Sequence, residues 1–343
     1  MIFQQILLQI FHKLNKERTI SAAYHLLRGK RSGQTIQDVG IFKLHDFFGL
    51  LPKLSRENFD AEVAKLVDAN FLHIEENGFY TMTELGNQQV SHTQSFNFDG
   101  WHYRGNEHVF FARFTLVVQS LSHHKSGRMS FSPVIKDEGI HKWVRSFLLW
   151  CSYQSGGVGQ QLFDEVTASL KEAPLTDGVR TMILYRLSGD GMPGRTWQQL
   201  AHEQNIEQID VQLQFIEGLH IWLNTIIATS DYLLLNKLAE GIRVEVVLTG
   251  SANQTAQLFN KGYSIEQMSF MRNLKVSTIE DHLVELAMND AGFPIEQFVS
   301  LDDVKQVFEQ AKMLETKKLR VLHEVMDHLS YFQLRLILAK GED

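Results

Sequence analysis

The spacing of apolar residues is the feature that most limits what this chain can fold into. Long stretches repeat apolar residues at intervals of three and four, which is the period of an amphipathic helix. Only five prolines interrupt the 343 residues, so few points force a helix to end. The sequence therefore predicts a mainly α-helical protein, and its length predicts two or three domains at about 100–200 residues each.

One segment instead shows the alternation of β-strands. Residues 71–82 form two alternating stretches that meet at Asn77 and Gly78, a pair whose positive φ angles suit a type I′ turn. A helix capped by Ser55 is expected just before this hairpin. A helix followed by a hairpin is typical of a winged helix-turn-helix domain, which we place at residues 1–90.

The remaining patterns set the other helices and the domain boundaries. Two shorter helices are expected at residues 20–27 and 42–50. The polar stretch 87–97 is the linker candidate, because it is rich in Gln, Ser, Asn and Thr. We expect a helical middle domain at residues 98–245, with a helix-turn-helix-like unit of its own, and a C-terminal domain at residues 251–343.

The C-terminal domain contains two sequences of the capping-box type. Ser264 precedes Gln267 by three residues, and Ser277 precedes Glu280 by three. These two caps predict a short helix, a turn and a further helix, which together form a helix-turn-helix. Three apolar residues of the last helix are expected to face inward: Ile279, Leu283 and Leu286.

These residues also carry a resemblance. The segments 255–267 and 277–283 resemble the helix-turn-helix domain at the C-terminus of some RecQ-type helicases, and the similarity extends through residues 298–304 and 329–339. Placed behind a winged helix and without a helicase motor, this domain makes the whole chain resemble the YpbB family of low-GC Gram-positive bacteria. The resemblance implies a non-enzymatic accessory protein that associates with a RecQ-type helicase, and so with DNA repair or replication.

The charge of the chain allows local contact with nucleic acid. The formal net charge of −7 is not that of a protein bound along a phosphate backbone. Residues 1–31, however, hold six Lys or Arg residues and one Glu. Candidate DNA-binding residues are basic side chains of this segment, of the residues on either side of Ser55 and of the C-terminal turn, with two residues of the helix after that turn: Arg28, Lys30, Arg31, Lys53, Arg56, Arg272, Lys275, Thr278 and His282.

Acidic residues argue against a direct role of that last helix in reading DNA. With its apolar residues inward, the helix is expected to present Glu280, Asp281 and Glu285, which would repel phosphates. We interpret these carboxylates as contacts for a protein partner, and DNA binding as weak or indirect. The alternative is a DNA-binding transcriptional regulator of the helix-turn-helix type, which would bind as a dimer.

Motifs for catalysis or cofactors do not have the required spacing. Residues 155–160 are glycine-rich but lack the Lys-Ser/Thr of a phosphate-binding loop. His323 and His328 stand five residues apart, which separates them by roughly 140° around a helix. We therefore predict no enzyme activity, cofactor, metal or small-molecule substrate. A hydrolase would instead have to use the histidines of the middle region: His102, His108, His123, His124 and His141.

The sequence also indicates a location. It has no run near the about 20 apolar residues of a membrane span, and its N-terminal stretch lacks the basic region of a signal peptide. The single cysteine, Cys151, cannot form an internal disulfide. A cytoplasmic protein is expected.

Overall fold

The computed structural model describes residues 1–93, 95–128, 130–245, 248–290 and 292–341. These residues fold mainly into helices, as predicted, with one two-stranded sheet among them. They form two compact units. We call residues 4–93 and 245–343 the terminal unit, and residues 1–3 and 94–244 the middle unit.

The elements are numbered along the chain. The first part has α1 (Ile2–Leu14), α2 (Ile20–Leu27), α3 (Gly33–Ile41), α4 (Arg56–Asp68), β1 (Leu72–Ile74), β2 (Tyr80–Met82) and α5 (Glu84–Ser91). The middle unit contributes α6 (Gly100–Tyr103), α7 (Glu107–Lys125), α8 (Glu138–Trp150), α9 (Val158–Glu172), α10 (Asp177–Tyr185), α11 (Trp197–Gln204), α12 (Gln208–Ile227) and α13 (Leu233–Ala239). The last part has α14 (Gly250–Phe259), α15 (Ile265–Arg272), α16 (Val276–Asn289), α17 (Leu301–Met313), α18 (Leu319–Val325) and α19 (Tyr331–Lys340).

The predicted hairpin is present, with β1 antiparallel to β2. Its turn differs from the expected type I′ because Gly78 has a φ of +80° whereas Asn77 does not adopt a positive φ. The Gly78 N–H donates to the Glu75 carbonyl at 2.9 Å, and the Glu75 N–H donates to the Phe79 carbonyl at 2.9 Å. This pattern is a type I turn followed by a glycine bulge.

The helices before the hairpin are partly as predicted. The Ser55 side chain caps α4, and α2 spans the expected residues. The prediction of an α-helix at residues 42–50 is wrong. Lys43 adopts a left-handed conformation with a φ of 52°, which is incompatible with an α-helix through this position. A helix is found before this segment, as α3, and α5 occupies residues 87–91 of the stretch 87–97 that was expected to be a linker. The winged helix-turn-helix assignment and the three-domain layout stay predictions.

In the terminal unit, α3 packs against both α16 and α19. Gly40 permits this contact, because a Cβ there would lie 2.4 Å from the Met288 sulfur and 3.3 Å from the Ala339 carbonyl oxygen. On another side, Asp38 of α3 forms an ion pair with Arg18 at 2.8 Å. The two ends of the chain therefore share one folded unit.

The middle unit is built around α12, which packs against α7, α9, α10, α11 and α13. Trp222 of α12 is fully buried, and its indole N–H donates to the Ser169 hydroxyl at 2.9 Å. At the start of α11, Thr196 and Gln199 form a capping box. The core of this unit is apolar and aromatic, with Phe110, Phe114 and Trp222 in edge-to-face or stacked contact.

Candidate nucleic-acid interface

A short turn joins α15 to α16, as a helix-turn-helix requires. Asn273 adopts a left-handed conformation with a φ of 50°, and its N–H bonds back to the Ser269 carbonyl. The Ser269 hydroxyl closes the turn by donating to the Leu274 carbonyl at 2.6 Å. The hydrogen bonds that fix the direction of α16 after the turn therefore all lie between Ser269 and Leu274.

One of the two predicted capping boxes in this domain is present. Ser264 and Gln267 form the reciprocal pair at the start of α15, which confirms the first. The second is wrong because α16 begins at Val276, with Lys275 as an N-cap residue whose side chain makes no capping bond. Glu280, expected to complete that box, instead lies 3.5 Å from the Arg335 guanidinium.

The middle of α16 is buried on more than its apolar face. Ile279 and Leu283 are fully buried, as predicted. His282 and Glu285, which were expected to face outward, are also buried, with 8% and 6% of their surface exposed. That expectation is wrong because α14 covers one side of α16, and α3 and α19 cover another.

Glu285 stabilises the start of α14. Its carboxylate accepts hydrogen bonds from the Thr249 backbone N–H and, at 3.1 Å, from the Thr249 hydroxyl. Thr249 in turn caps α14 by accepting a bond from the Ala252 N–H at 3.2 Å. The acidic residue thus connects α16 to the first turn of α14.

Asp281 connects α16 to the N-terminal part of the chain. Its carboxylate forms an ion pair with Arg335 of α19 and accepts a bond from the Gln37 amide of α3 at 3.0 Å. The other oxygen lies beside Gly33 in the first turn of α3. Glu280, Asp281 and Glu285 are all engaged within the terminal unit, which removes the reason for assigning them to a protein partner.

Arg272 and His282 are likewise engaged within the domain. The Arg272 guanidinium donates to the Ser251 carbonyl at 2.7 Å and to the Gln254 side chain at 2.9 Å. His282 lies 2.8 Å from the Thr255 hydroxyl, and burial followed by the charge of Arg272 lowers its pKa. Both side chains hold α14 against its neighbours, although they were predicted to contact DNA.

The turn of the helix-turn-helix and the first turn of α16 are accessible to solvent. Lys275 and Ser277 are exposed and Thr278 is half-buried. In a helix-turn-helix, the N-terminal residues of the second helix are those that contact base edges. Of the predicted DNA-binding residues in this domain, Lys275 and Thr278 occupy that position.

Sequence reasoning missed an apolar surface on α15. Phe270 is 88% exposed and Met271 is 52% exposed. Val276 and Tyr263 are also exposed. The capping box at Ser264 fixes where α15 begins, but no local signal shows that its apolar residues point outward.

Three of the five N-terminal basic candidates, Lys30, Arg56 and Arg28, lie near His25. Burial lowers the pKa of His25, and the charges of Lys30, Arg56 and Arg28 lower it further. Arg28 and Arg56 both lie over the ring of Tyr24, at 5.6 and 5.4 Å from its centre. The structure thus brings together residues from α2 and from the start of α4.

The N-terminal basic side chains differ in whether they form ion pairs or hydrogen bonds within the protein. Arg56 forms an ion pair with Asp60 at 2.8 Å, and Arg28 donates to the Pro52 carbonyl at 3.2 Å. Lys30, Arg31 and Lys53 are exposed, and their side chains make no hydrogen bond or ion pair within the described part of the chain. These last three have charge available for an external anion.

Among the residues that the structure describes, no group of three or more His, Cys, Asp or Glu side chains is placed to hold a metal. None of the helices in the described ranges combines the length and apolar character needed to cross a bilayer.

Comparison with known proteins gives the family. Residues 251–338 match a family described as a helix-turn-helix domain. Protein YpbB of Bacillus subtilis (strain 168) is 32% identical over 347 residues, which cover 98% of this chain and 97% of that protein. The chain belongs to the YpbB family. No solved structure matches it. A helix-turn-helix domain in a YpbB-family chain indicates a function related to nucleic acid.

Proposed function

We propose that this YpbB-family protein is a non-enzymatic accessory protein that associates with a RecQ-type DNA helicase in the cytoplasm and contacts DNA weakly. The burial of α16 beyond its first turn is the observation that carries the proposal. Because α3, α14 and α19 enclose α16, only a short part of this helix is accessible for insertion into a major groove. The resemblance of residues 255–339 to the C-terminal domain of RecQ-type helicases supplies the class of partner.

The exposed apolar residues of α15 are the docking surface in this proposal. Phe270 and Met271 of α15 and Val276 at the start of α16 are three large apolar side chains that are close together in sequence and exposed. Buried aromatic side chains contribute a large share of the free energy of binding at protein interfaces. This surface replaces the three carboxylates that the sequence suggested.

Co-purification from cells tests the association. Full-length protein should recover a RecQ-type helicase, and Phe270→Ser should reduce the recovery by at least ~10-fold, since a central aromatic contributes about 2 kcal/mol or more. Met313→Ser is the matched control, because Met313 is also a large exposed apolar residue of the terminal unit but lies on α17. Equal recovery of the helicase with wild type and Phe270→Ser would refute this docking surface.

Weak DNA contact is assigned to the N-terminal basic residues. The residues that would contact phosphates are Lys30, Arg31 and Lys53. They lie in the same part of the chain as Arg28 and Arg56, which already bond to other residues of the protein. Binding of a random-sequence duplex is expected to be independent of sequence and to fall steeply with salt. Fluorescence anisotropy over a salt series measures it. The test variant replaces Lys30, Arg31 and Lys53 by alanine. Its matched control replaces three exposed lysines elsewhere on the terminal unit by alanine: Lys261, Lys305 and Lys312.

A second candidate function is transcriptional regulation. It is favoured by the position of Lys275 and Thr278 at the exposed start of α16, where a recognition helix touches bases. Selection of genomic fragments with the full chain distinguishes the two functions. A recurrent palindromic sequence whose recovery needs Thr278 supports the regulator, and recovery without sequence preference supports the accessory protein.

A further inference from the structure

A cavity of about 720 Å³ lies in the middle unit. It opens between α7 and the loop that follows α10. Its volume is within the range of about 300–1,000 Å³ that is usual for small-molecule sites. Both polar and apolar side chains line it, among them His108, Phe111, Thr115, Ile135, Arg186 and Met192.

Arg186 brings a charge to the wall without a counter-ion. Its guanidinium stacks on Trp197 at 4.0 Å and donates to the Arg195 carbonyl at 2.5 Å, while its Nε has no hydrogen-bond partner. No carboxylate lies within ion-pair distance of Arg186 in the described part of the chain, and burial lowers its pKa. A partly buried cation without an anion is costly unless a ligand supplies one.

Thr115 adds an unused hydroxyl to the same wall. The residue is 4% exposed, and its Oγ1 has no hydrogen-bond partner. Buried polar atoms are nearly always paired, yet the described residues supply no partner for this hydroxyl. By contrast Gln119, one turn further along α7, is satisfied: its amide donates to the Ser132 carbonyl at 3.1 Å and accepts from the Val134 N–H at 3.0 Å.

The rest of the wall is apolar or backbone. Phe111, Ile135 and Met192 present carbon surface, and among the described lining residues none is acidic. The loop is held by a backbone bridge between Gly189 and Met192, with hydrogen bonds of 2.8 and 3.2 Å. Gly194 is required where it is, because a Cβ there would lie 2.5 Å from the Arg186 carbonyl oxygen.

We propose that this cavity binds a small organic anion. Its carboxylate or phosphate pairs with the Arg186 guanidinium, near the Thr115 hydroxyl and His108. Its apolar body lies against Phe111, Ile135 and Met192. The proposal does not depend on the terminal unit, so its outcome is separate from that of the proposed helicase association.

Nuclear magnetic resonance of the full chain tests the site. The protein has five tryptophans, and Trp197→Phe identifies the indole signal next to Arg186. Phenyl phosphate and benzoate are the probes, and the tighter of the two identifies the preferred anionic group. Either probe should shift the Trp197 signal, whereas benzyl alcohol, which has the ring without the charge, should not.

Arg186→Met should weaken binding of the better probe by at least ~10-fold. Arg113→Met is the matched control, because Arg113 also stacks on a tryptophan, Trp143 at 4.2 Å, and bonds to main-chain carbonyls, but does not line the cavity. Ala112→Phe should abolish binding by filling the space while leaving the charge. The four other indole signals report whether each variant is folded.

The proposal is overturned if neither probe shifts the Trp197 signal of the wild-type protein at up to about 10 mM, an affinity too weak for a specific site. It is also overturned if a folded Arg186→Met or Ala112→Phe variant binds the probe as wild type does.

Discussion

Replacing Glu285 by alanine tests whether the buried acid of α16 stabilises the terminal unit or contacts a partner. Its two oxygens accept bonds from the Thr249 N–H and hydroxyl, and the residue is 6% exposed. A hydrogen bond to a charged group contributes about 1.5–3 kcal/mol, and because Thr249 is half-exposed, water replaces part of what is lost. We expect the free energy of unfolding of this unit to fall by about 2–3 kcal/mol.

The assay is native-state hydrogen exchange of the full chain, because a protein with two units need not unfold in a single step. Peptides from α14 should exchange about 30- to 150-fold faster in Glu285→Ala, which is the expected free-energy change at 1.4 kcal/mol per factor of ten. Glu266→Ala is the control. Glu266 is an exposed acid of the neighbouring α15, and its loss should leave α14 unchanged.

Wild-type exchange in Glu285→Ala would refute the structural role of this carboxylate. If the same variant also failed to recover the helicase, the original interpretation of Glu285 as a docking residue would be correct. A third outcome is that Glu285→Ala loses both the slow hydrogen exchange of α14 and the recovery of the helicase. That result supports the structural role if Phe270→Ser also loses recovery of the helicase while α14 keeps its slow exchange.

Three further results are expected. Replacing Lys30, Arg31 and Lys53 by alanine should lower the slope of log affinity for duplex DNA against log salt by up to about 2.7, at about 0.9 per phosphate contact. Because burial and Arg272 lower the pKa of His282 below its value in the unfolded chain, the unfolded state takes up more protons as the pH falls. The urea midpoint should therefore decrease from about pH 7.5 to about pH 5.5, and decrease less in His282→Asn. Gly40→Leu should cost about 2 kcal/mol in a urea titration by overpacking α3 against Met288.

The features that could be predicted from sequence are those made by neighbours along the chain. The capping boxes at Ser264 and Thr196 join residues three apart, so a local pattern was enough to indicate them. The same pattern at Ser277 and Glu280 forms no capping box, because α16 already begins at Val276 and Ser277 is therefore not its N-cap. The hairpin at residues 71–82 was also predictable from a local pattern. Its turn type was not, because Asn-Gly suits both a type I′ turn and a type I turn with a glycine bulge.

The helix α3 could not be predicted because its stability comes from distant residues. It contains Gly33 and Gly40, which are poor helix formers, and Thr35, Gln37 and Asp38 are polar yet buried. Long-range bonds compensate: Asp38 pairs with Arg18, and Gln37 bonds to Asp281, 244 residues away. Nothing within the helix itself distinguishes these residues from a polar loop.

The same distance explains why the surface of α16 was misjudged. Periodicity identified its inward apolar residues, but it cannot show that a segment from the other end of the chain covers the opposite side. From the sequence alone, Asp281 is expected to be a solvent-exposed carboxylate. Its contacts with Gln37 and Arg335 are visible only in the structure. Because α3, α14 and α19 enclose this helix, a macromolecule can reach the helix-turn-helix only from α15 and the first turn of α16. That approach presents Phe270 and Met271 together with a single basic residue, Lys275, among the exposed side chains of residues 265–278. A surface of this composition favours burial against another protein over attraction to phosphates, so we expect the strongest DNA contacts of the terminal unit at its N-terminal basic residues.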